Sequence, residues 1–142
     1  MGKKRIATQK GAEGIGAKSS ASRVPKKKLS AGTLHIEATF NNTKVVFSDK
    51  TGATIFRSSA GALGFKGAKK GTPFAASKIG EVLGEKAAAL GVKEADAVIS
   101  GVGSGRESVI RSFMAHGIEL TGIRDVTPVP HNGPKPKKPR RV

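Results

Sequence analysis

The chain has 142 residues, a length typical of one domain, and carries a formal net charge of +16 without a single cysteine. The absence of cysteine excludes disulfides, thiolate metal sites and cysteine nucleophiles. So large a positive charge requires a polyanionic partner. Nucleic acid is favoured over a membrane surface, because Trp and Tyr are absent and the six Phe are dispersed.

The positive charge is concentrated at the two ends of the chain. Residues 1–30 hold nine bases and one acid, net +8, whereas residues 31–124 hold twelve bases and eight acids, net +4. We therefore predict a basic N-terminal arm over 1–30 that is disordered unless bound to RNA, a folded domain over 31–127, and a basic tail over 128–142. The N-terminus lacks the apolar run of a secretory signal, and no segment resembles a membrane span, so we expect a cytoplasmic protein.

Three strands open the folded domain. "TLHIEATF" (33–40) alternates with period two and places four residues on one face: Leu34, Ile36, Ala38 and Phe40. "KVVFSD" (44–49) and "ATIFRS" (53–58) follow after the short turns "NNT" and "DKTG". Short links between consecutive strands predict an antiparallel meander.

A helix is predicted after a glycine- and lysine-rich stretch. Thr72 is placed to cap it and Pro73 to occupy its first position, while Gly91 is a typical C-terminal residue. The predicted apolar stripe recurs at spacings of three and four: Phe74, Ile79, Val82, Leu83, Ala87 and Leu90.

A strand, a second helix and a last strand complete the pattern. "ADAVISGV" (95–102) is continuously apolar, which predicts a strand covered on both faces. Ser104 has capping-box spacing to Glu107 and is predicted to cap a helix that ends at Gly117. Its inward residues are predicted to be Val109, Ile110, Phe113 and Met114. "IELTGIRDV" (118–126) is the last strand, so the fold class is α/β: a β-β-β-α-β-α-β sandwich with a mixed sheet and two helices.

The segment "ISGVGSGRESVI" (99–110) has three interpretations. Its three glycines between a strand and a helix resemble a dinucleotide fingerprint, but the third glycine comes one position early and Arg106 stands where a small residue is needed. The helix start, helped by Arg106, is also suited to hold a nucleic-acid phosphate. A purely structural turn is the third interpretation.

Catalytic and metal chemistry are not supported by the remaining residues. His35, His116 and His131 lie in unrelated contexts, without a second ligand at helical spacing. The carboxylates are scattered over strand ends and turns. We therefore predict no enzyme activity, no cofactor, no metal site and no small-molecule substrate.

Two loops have the composition of RNA contacts. "GALGFKGAKKGTPF" places three lysines on a glycine-rich loop that leads into a helix N-terminus. Its Phe65 is suited either to stack on an unpaired base or to pack into the core. "FNNTK" presents Asn41, Asn42 and Thr43 at a hairpin tip, where they are suited to bond sugars and phosphates or to form an ordinary turn.

The tail "DVTPVPHNGPKPKKPRRV" cannot form a helix on its own. It contains five of the seven prolines together with five bases, so it requires a partner to give it a conformation. Asn132-Gly133 predicts a tight turn within it. The same dipeptide favours succinimide formation, so deamidation of Asn132 is a hypothesis that tryptic mass spectrometry tests.

Several of these segments occur together in one known family. "HIEATFNNT", "GFKGAKKGTPFAA", "GRESVIR" and "DVTPVPHNG" with its basic tail resemble, in order and spacing, the bacterial form of the eleventh small-subunit ribosomal protein over about residues 31–142. Two features depart from the family pattern. Val102 and Ser104 replace two prolines of a Gly-Pro-Gly-Pro-Gly-Arg loop, which predicts a less rigid loop, and Pro134 stands where a cysteine is common.

The resemblance implies a structural protein of the small ribosomal subunit. It would bind the large rRNA of that subunit at the platform, beside other platform proteins and near the path by which mRNA leaves, so mRNA is a further implied partner. The alternative is a basic protein that compacts DNA irrespective of sequence. The RNA contacts predicted from the residues and the resemblance together are Lys26, Lys27, Lys28, Asn41, Asn42, Thr43, Arg57, Gly64, Phe65, Lys66, Gly67, Lys69, Lys70, Thr72, Ser104, Gly105, Arg106, His131, Asn132, Gly133, Lys135, Lys137, Lys138, Arg140 and Arg141.

Overall fold

A computed structural model describes residues 28–139 and residue 141. The elements follow the predicted order: β1 (Ala31–Ala38), β2 (Thr43–Ser48), β3 (Thr54–Ser59), α1 (Pro73–Ala89), β4 (Glu94–Gly101), α2 (Arg106–Met114) and β5 (Glu119–Asp125), with a short 3-10 helix (Gly67–Gly71) before α1. The predicted α/β class is therefore confirmed. None of the helices within these residues is long and apolar enough to cross a membrane.

The five strands form one mixed sheet in the order β3-β2-β1-β4-β5. The first three strands pair antiparallel, as the predicted meander requires, whereas β4 pairs parallel with both β1 and β5. Because β1, β4 and β5 run in the same direction, their carboxyl ends meet at one end of the sheet. The segments that follow these three strands therefore gather there.

The hydrophobic core lies on one face of the sheet, beneath both helices. It joins inward residues of the strands, such as Leu34, Phe47 and Ile99, to Ile79 of α1 and Phe113 of α2. Phe47 stacks on Phe56 at 4.9 Å between ring centroids and approaches Phe113 at 6.0 Å. Within residues 28–139 no helix covers the opposite face, which we call the open face.

The prediction that β4 is covered on both faces is wrong. Ala95, Ala97 and Ile99 are buried, but Asp96 and Val98 between them are only half-buried on the open face. Val98 is the register partner of His35 of β1 and of Arg124 of β5, so polar side chains flank it on this face.

The boundaries of α1 agree closely with the pattern, whereas α2 ends at Met114, three residues before the predicted Gly117. Thr72 caps α1 by accepting a hydrogen bond from the Ala75 amide at 3.4 Å, and Pro73 is the first helical residue. Gly91 follows the helix with a left-handed φ of +82°, as predicted. The two helices pack closely through Gly80, where a Cβ would lie 2.6 Å from the Val109 carbonyl oxygen.

Three residues predicted to point inward are exposed instead: Phe40, Phe74 and Met114. β1 ends at Ala38, and Thr39 closes a turn with Asn42 through hydrogen bonds of its backbone and its hydroxyl, so the alternation stops before Phe40. Phe74 lies in the first turn of α1, and Met114 is the last residue of α2. At helix ends, helical spacing no longer decides which side chains reach the core.

Candidate nucleic-acid interface

Three loops meet at the carboxyl end of the parallel strands. We call residues 39–42, 64–72 and 101–105 together the three-loop end. Gly71 lies against residue Phe40, where a Cβ would be 2.3 Å from the Phe40 carbonyl oxygen. The Gly103 amide donates to the Ala38 carbonyl at 2.9 Å, and the Ser104 hydroxyl donates to the Gly71 carbonyl at 3.0 Å. Each loop is thus held by backbone groups of another segment.

The glycines of the 101–105 loop serve close packing against β1. Gly101 has a φ of +97°, and a Cβ there would lie 2.1 Å from the Ala38 carbonyl oxygen. Gly105 is buried, and a Cβ there would lie 2.7 Å from both the Thr43 hydroxyl and the Ala76 methyl. Of the three interpretations of this segment, the structural turn accounts for its glycines.

The prediction that Ser104 caps α2 is wrong. The capping position is taken by Gly105, and no side chain caps the helix there. The Ser104 hydroxyl instead reaches the neighbouring loop at Gly71. The helix begins one residue later than the capping-box spacing requires, which leaves the hydroxyl free for this cross-loop bond. Ser104 therefore ties together a loop that was expected to lose rigidity with its prolines.

The lysine loop forms a short 3-10 helix immediately before α1. Lys66 directly precedes this helix and is exposed, whereas Lys69 and Lys70 lie within it, the first exposed and the second half-buried. Thr72 ends the 3-10 helix by donating its hydroxyl to the Lys69 carbonyl at 2.7 Å, and the same oxygen caps α1. The flanking glycines Gly64 and Gly67 are both exposed. The lysines are thus presented beside the N-terminus of a 17-residue helix.

Phe65 packs against the core. Its ring is half-buried among the residues that border the hydrophobic cluster, and it meets Phe74 edge to face at 6.0 Å between centroids. The Lys78 ammonium lies 5.6 Å from the centroid of Phe74. Of the two interpretations of Phe65, the structure therefore supports packing, and Phe74 is the more exposed ring of the pair.

The hairpin tip differs from the prediction at Thr43. Asn41 is exposed and Asn42 half-buried, but Thr43 is completely buried as the first residue of β2. The Thr43 hydroxyl has no hydrogen-bond partner among the described residues, and it lies beside Gly105. The proposed contact of this hydroxyl with an RNA backbone is therefore wrong, since the group does not reach the surface.

Arg106 belongs to a network that fastens the start of the tail. Its guanidinium donates to the Gly101 carbonyl at 2.7 Å and pairs with the carboxylate of Asp125. Asp125 also accepts from the amide and hydroxyl of Thr127, at 3.0 and 2.6 Å. The Gly101 amide closes the network by donating to the Thr127 hydroxyl at 3.2 Å. We call these four residues the Asp125 network.

Hydrogen bonds within the Asp125 network lower the pKa of that carboxyl to about 2. Thr127 is the main cause, through its hydroxyl and its amide, and Arg106 contributes after it. Asp125 is therefore ionised at neutral pH and holds the guanidinium of Arg106. This pairing was missed because the two residues are 19 positions apart and no local pattern joins them.

Arg57 lies on a different surface, the open face of the sheet. Register partners form one row across all five strands: Arg57, Val46, His35, Val98 and Arg124. His35 is fastened there by a hydrogen bond to the Ser48 hydroxyl at 3.0 Å. An arginine thus stands at each end of the row, and Arg124 was not among the predicted contacts.

The tail has neither helix nor strand in residues 128–139. All of its described residues are exposed, including His131, Gly133, Lys135, Lys137, Lys138 and Arg141. Asn132 has a left-handed φ of +58°, which agrees with the predicted turn at Asn132-Gly133. Lys28 is exposed at the start of the described chain, whereas Lys26, Lys27 and Arg140 lie outside the described residues.

A comparison with models of known protein families shows which family this chain belongs to. The model of the family described as ribosomal protein S11 matches residues 32–141, most of the chain. The chain belongs to the ribosomal protein S11 family. Membership confirms the resemblance seen in the sequence motifs and makes the chain an rRNA-binding, structural component of the small ribosomal subunit that serves translation. Its partners are accordingly rRNA and other ribosomal proteins of that subunit.

The S11 match runs from the second residue of β1 into the tail. It covers the three-loop end, the Asp125 network and the open face, and it leaves residues 1–31 outside. The loop in which Val102 and Ser104 replace the expected prolines therefore lies within the matched region. In this loop the Gly103 amide bonds β1 and the Ser104 hydroxyl bonds the Gly71 carbonyl.

Proposed function

We propose that this S11 protein binds the large rRNA of the small subunit at the platform, near the path by which mRNA leaves, beside other platform proteins. One observation carries the proposal. The three-loop end contains three lysines and no acid, and the tail with five further bases starts beside it at the Asp125 network. Such a one-sided concentration of positive charge suits an RNA backbone.

The folded domain and the tail have different parts in this proposal. The interlocked loops present Lys66, Lys69 and Asn41 in a defined arrangement, which suits recognition of one RNA shape. The tail adds charge along an extended path, where its prolines reduce the entropy lost when it becomes ordered between RNA helices. The division into an arm (1–30), a domain (31–127) and a tail (128–142) is part of the proposal.

The open face is proposed as a second contact surface. Its row of Arg57, His35 and Arg124 is basic at both ends, but Glu37 and Asp96 lie on the same face. Mixed charge of this kind suits a neighbouring platform protein or a local RNA contact better than a long phosphate track.

A competition experiment tests the proposed function. Labelled platform rRNA bound to the protein at about 0.2 M salt is challenged with excess random RNA and with duplex DNA, since charge alone does not discriminate among these polymers at that salt. Retention of the platform rRNA supports the proposal. Displacement of the platform rRNA by both competitors contradicts it, and supports the DNA-compacting alternative.

A matched pair of variants sharpens the experiment. Substituting Lys66 and Lys69 by Gln removes charge from the loops, whereas substituting Lys135 and Lys137 by Gln removes the same charge from the tail. We expect the loop variant to lose discrimination between platform and random RNA, and the tail variant to lose affinity for both alike. Identical behaviour of the two variants would show that the loops read no particular RNA shape.

A further inference from the structure

Three apolar side chains are exposed at or beside the three-loop end. Phe40 at the hairpin tip is 80% exposed, Phe74 in the first turn of α1 is 63% exposed, and Val102 in the loop after β4 is 59% exposed. The other four phenylalanines are buried or half-buried. The segments that carry these side chains contact one another, and exposed apolar residues grouped at one end of a domain are typical of an interaction surface.

The backbone beneath Phe40 is held firmly. Thr39 and Asn42 exchange hydrogen bonds on either side of it, at 2.8 to 3.1 Å, and Gly71 packs against its carbonyl. The ring therefore projects from a turn that the fold has already ordered. Because this turn is already ordered, little conformational entropy is lost when a partner stacks on the ring, and such preorganisation favours binding.

The chemistry around the rings points to nucleic acid. The three loops carry Lys66, Lys69 and Lys70 and no acid, so the surface complements a negatively charged partner. An aromatic ring beside lysines is the arrangement with which proteins hold unpaired bases, because the ring stacks on the base and the lysines neutralise its phosphates. A protein partner would have to be acidic to complement these lysines equally well.

We propose that Phe40 and Phe74 are stacking surfaces for unpaired bases of the rRNA, with Phe40 the principal one. Phe65, the ring singled out by the sequence, has a supporting role: its edge-to-face contact at 6.0 Å orients Phe74. The inference rests on the proposed function and deepens it, because it assigns single-stranded rather than paired nucleotides to the three-loop end. Paired bases have no free face to offer a ring.

The first test compares variants that keep the surface apolar. Phe40→Leu and Phe74→Leu remove the aromatic face, Phe40→Trp retains one, and Met114→Leu is the matched control, since Met114 is an exposed apolar residue at the last position of α2. We expect Phe40→Leu to weaken binding to protein-free platform rRNA about 10-fold, and Phe74→Leu less. Phe40→Trp and Met114→Leu should bind like the wild type. Unchanged melting temperatures would show that all four variants fold.

The outcomes separate this inference from the proposed function. If the wild type does not prefer platform rRNA to random RNA, the proposed function fails. If the wild type has that preference and Phe40→Leu binds as tightly, only the stacking inference is overturned. If Phe40→Leu binds RNA normally but fails to assemble with the neighbouring proteins, the surface is a protein contact, and the inference is likewise overturned.

A second test asks whether a base is the partner of the ring. Unpaired nucleotides of the platform rRNA are replaced one at a time by abasic residues, and binding is measured with the wild type and with Phe40→Leu. At the nucleotide that stacks, the abasic change should weaken the wild type about 10-fold and leave the variant unaffected, because the contact is already lost. If the abasic change weakened the wild type and Phe40→Leu by the same factor at every nucleotide, the inference would be overturned.

Discussion

The three-loop end and the tail are both basic, but they hold their charged side chains in different ways. In the three-loop end, backbone contacts lock three loops together, and lysines project from a fixed frame. The tail has five bases but neither helix nor strand in its described residues, and it is joined to the domain by the Asp125 network. The difference shows that shape recognition and charge neutralisation are separable within one small protein, so substitutions in the two regions should have different consequences.

The largest effect is expected from Gly101→Ala in the three-loop end. The new Cβ would lie 2.1 Å from the Ala38 carbonyl at a φ of +97°, so both a backbone clash and a disfavoured conformation follow. We expect a loss of about 3 kcal/mol in the free energy of unfolding, measured by urea denaturation. Gly133→Ala is the matched control in the tail and should leave stability unchanged. Equal effects at the two positions would remove the distinction between the regions.

The next effect is expected from removing charge in the tail. Substituting Lys135, Lys137 and Lys138 by Gln should leave the unfolding free energy within about 0.5 kcal/mol of the wild type, because these side chains are exposed. Affinity for rRNA should fall, and the slope of log affinity against log salt should become shallower by about 2. Binding titrations at several salt concentrations measure both the affinity and this slope. An unchanged slope would mean that the tail neutralises no phosphate.

The Asp125 network predicts a pH-dependent stability. The folded-state pKa of Asp125, about 2, lies below the ordinary value of 3.8 for an aspartate. Its contribution to stability is therefore complete above about pH 4 and is lost as the pH falls towards 2. The difference in unfolding free energy between the wild type and Asp125→Asn should shrink over this window. Asp49, whose pKa is also lowered by hydrogen bonds to Thr51 and Ala53, is present in both proteins and cancels. A difference that stays constant with pH would contradict the assignment.

The smallest effect is expected from Ser104→Ala. This change removes the hydrogen bond to the Gly71 carbonyl on an exposed loop and should cost about 1 kcal/mol of unfolding free energy. Ser108→Ala in α2 is the control, because it removes a hydroxyl from the following helix. If Ser104→Ala reduced the helix content seen by circular dichroism as well, a capping role for this residue would be restored.

Local patterns predicted most of the fold correctly. The alternation of Leu34, Ile36 and Ala38 identified β1 and its buried face, and Thr72 with Pro73 identified the start of α1. These signals work because they concern residues a few positions apart, for which backbone geometry alone dictates the neighbours. The lysine loop was located in the same way, from its glycines and its position before a helix.

The errors in the candidate site arise from distant partners or from the end of an element. Ser104 was assigned to its own helix, but its hydroxyl bonds Gly71, 33 positions away. Thr43 was assigned to the surface, but Gly105 and the core cover it. Phe40 was assigned to the core, although β1 ends two residues before it. In each case a contact between segments, or the end of an element, overrode the local spacing.

By itself the sequence determined the fold class, the element order, the two charged regions and the family, because composition, periodicity and motif order depend on near neighbours. Only the tertiary structure decided which of those residues meet. The parallel arrangement of β1, β4 and β5 brings three loops together at one end, buries Thr43, joins Arg106 to Asp125 and leaves Phe40 and Phe74 exposed. The physical reason is that strand pairing sets distances between segments far apart in the chain, and no local pattern encodes those distances.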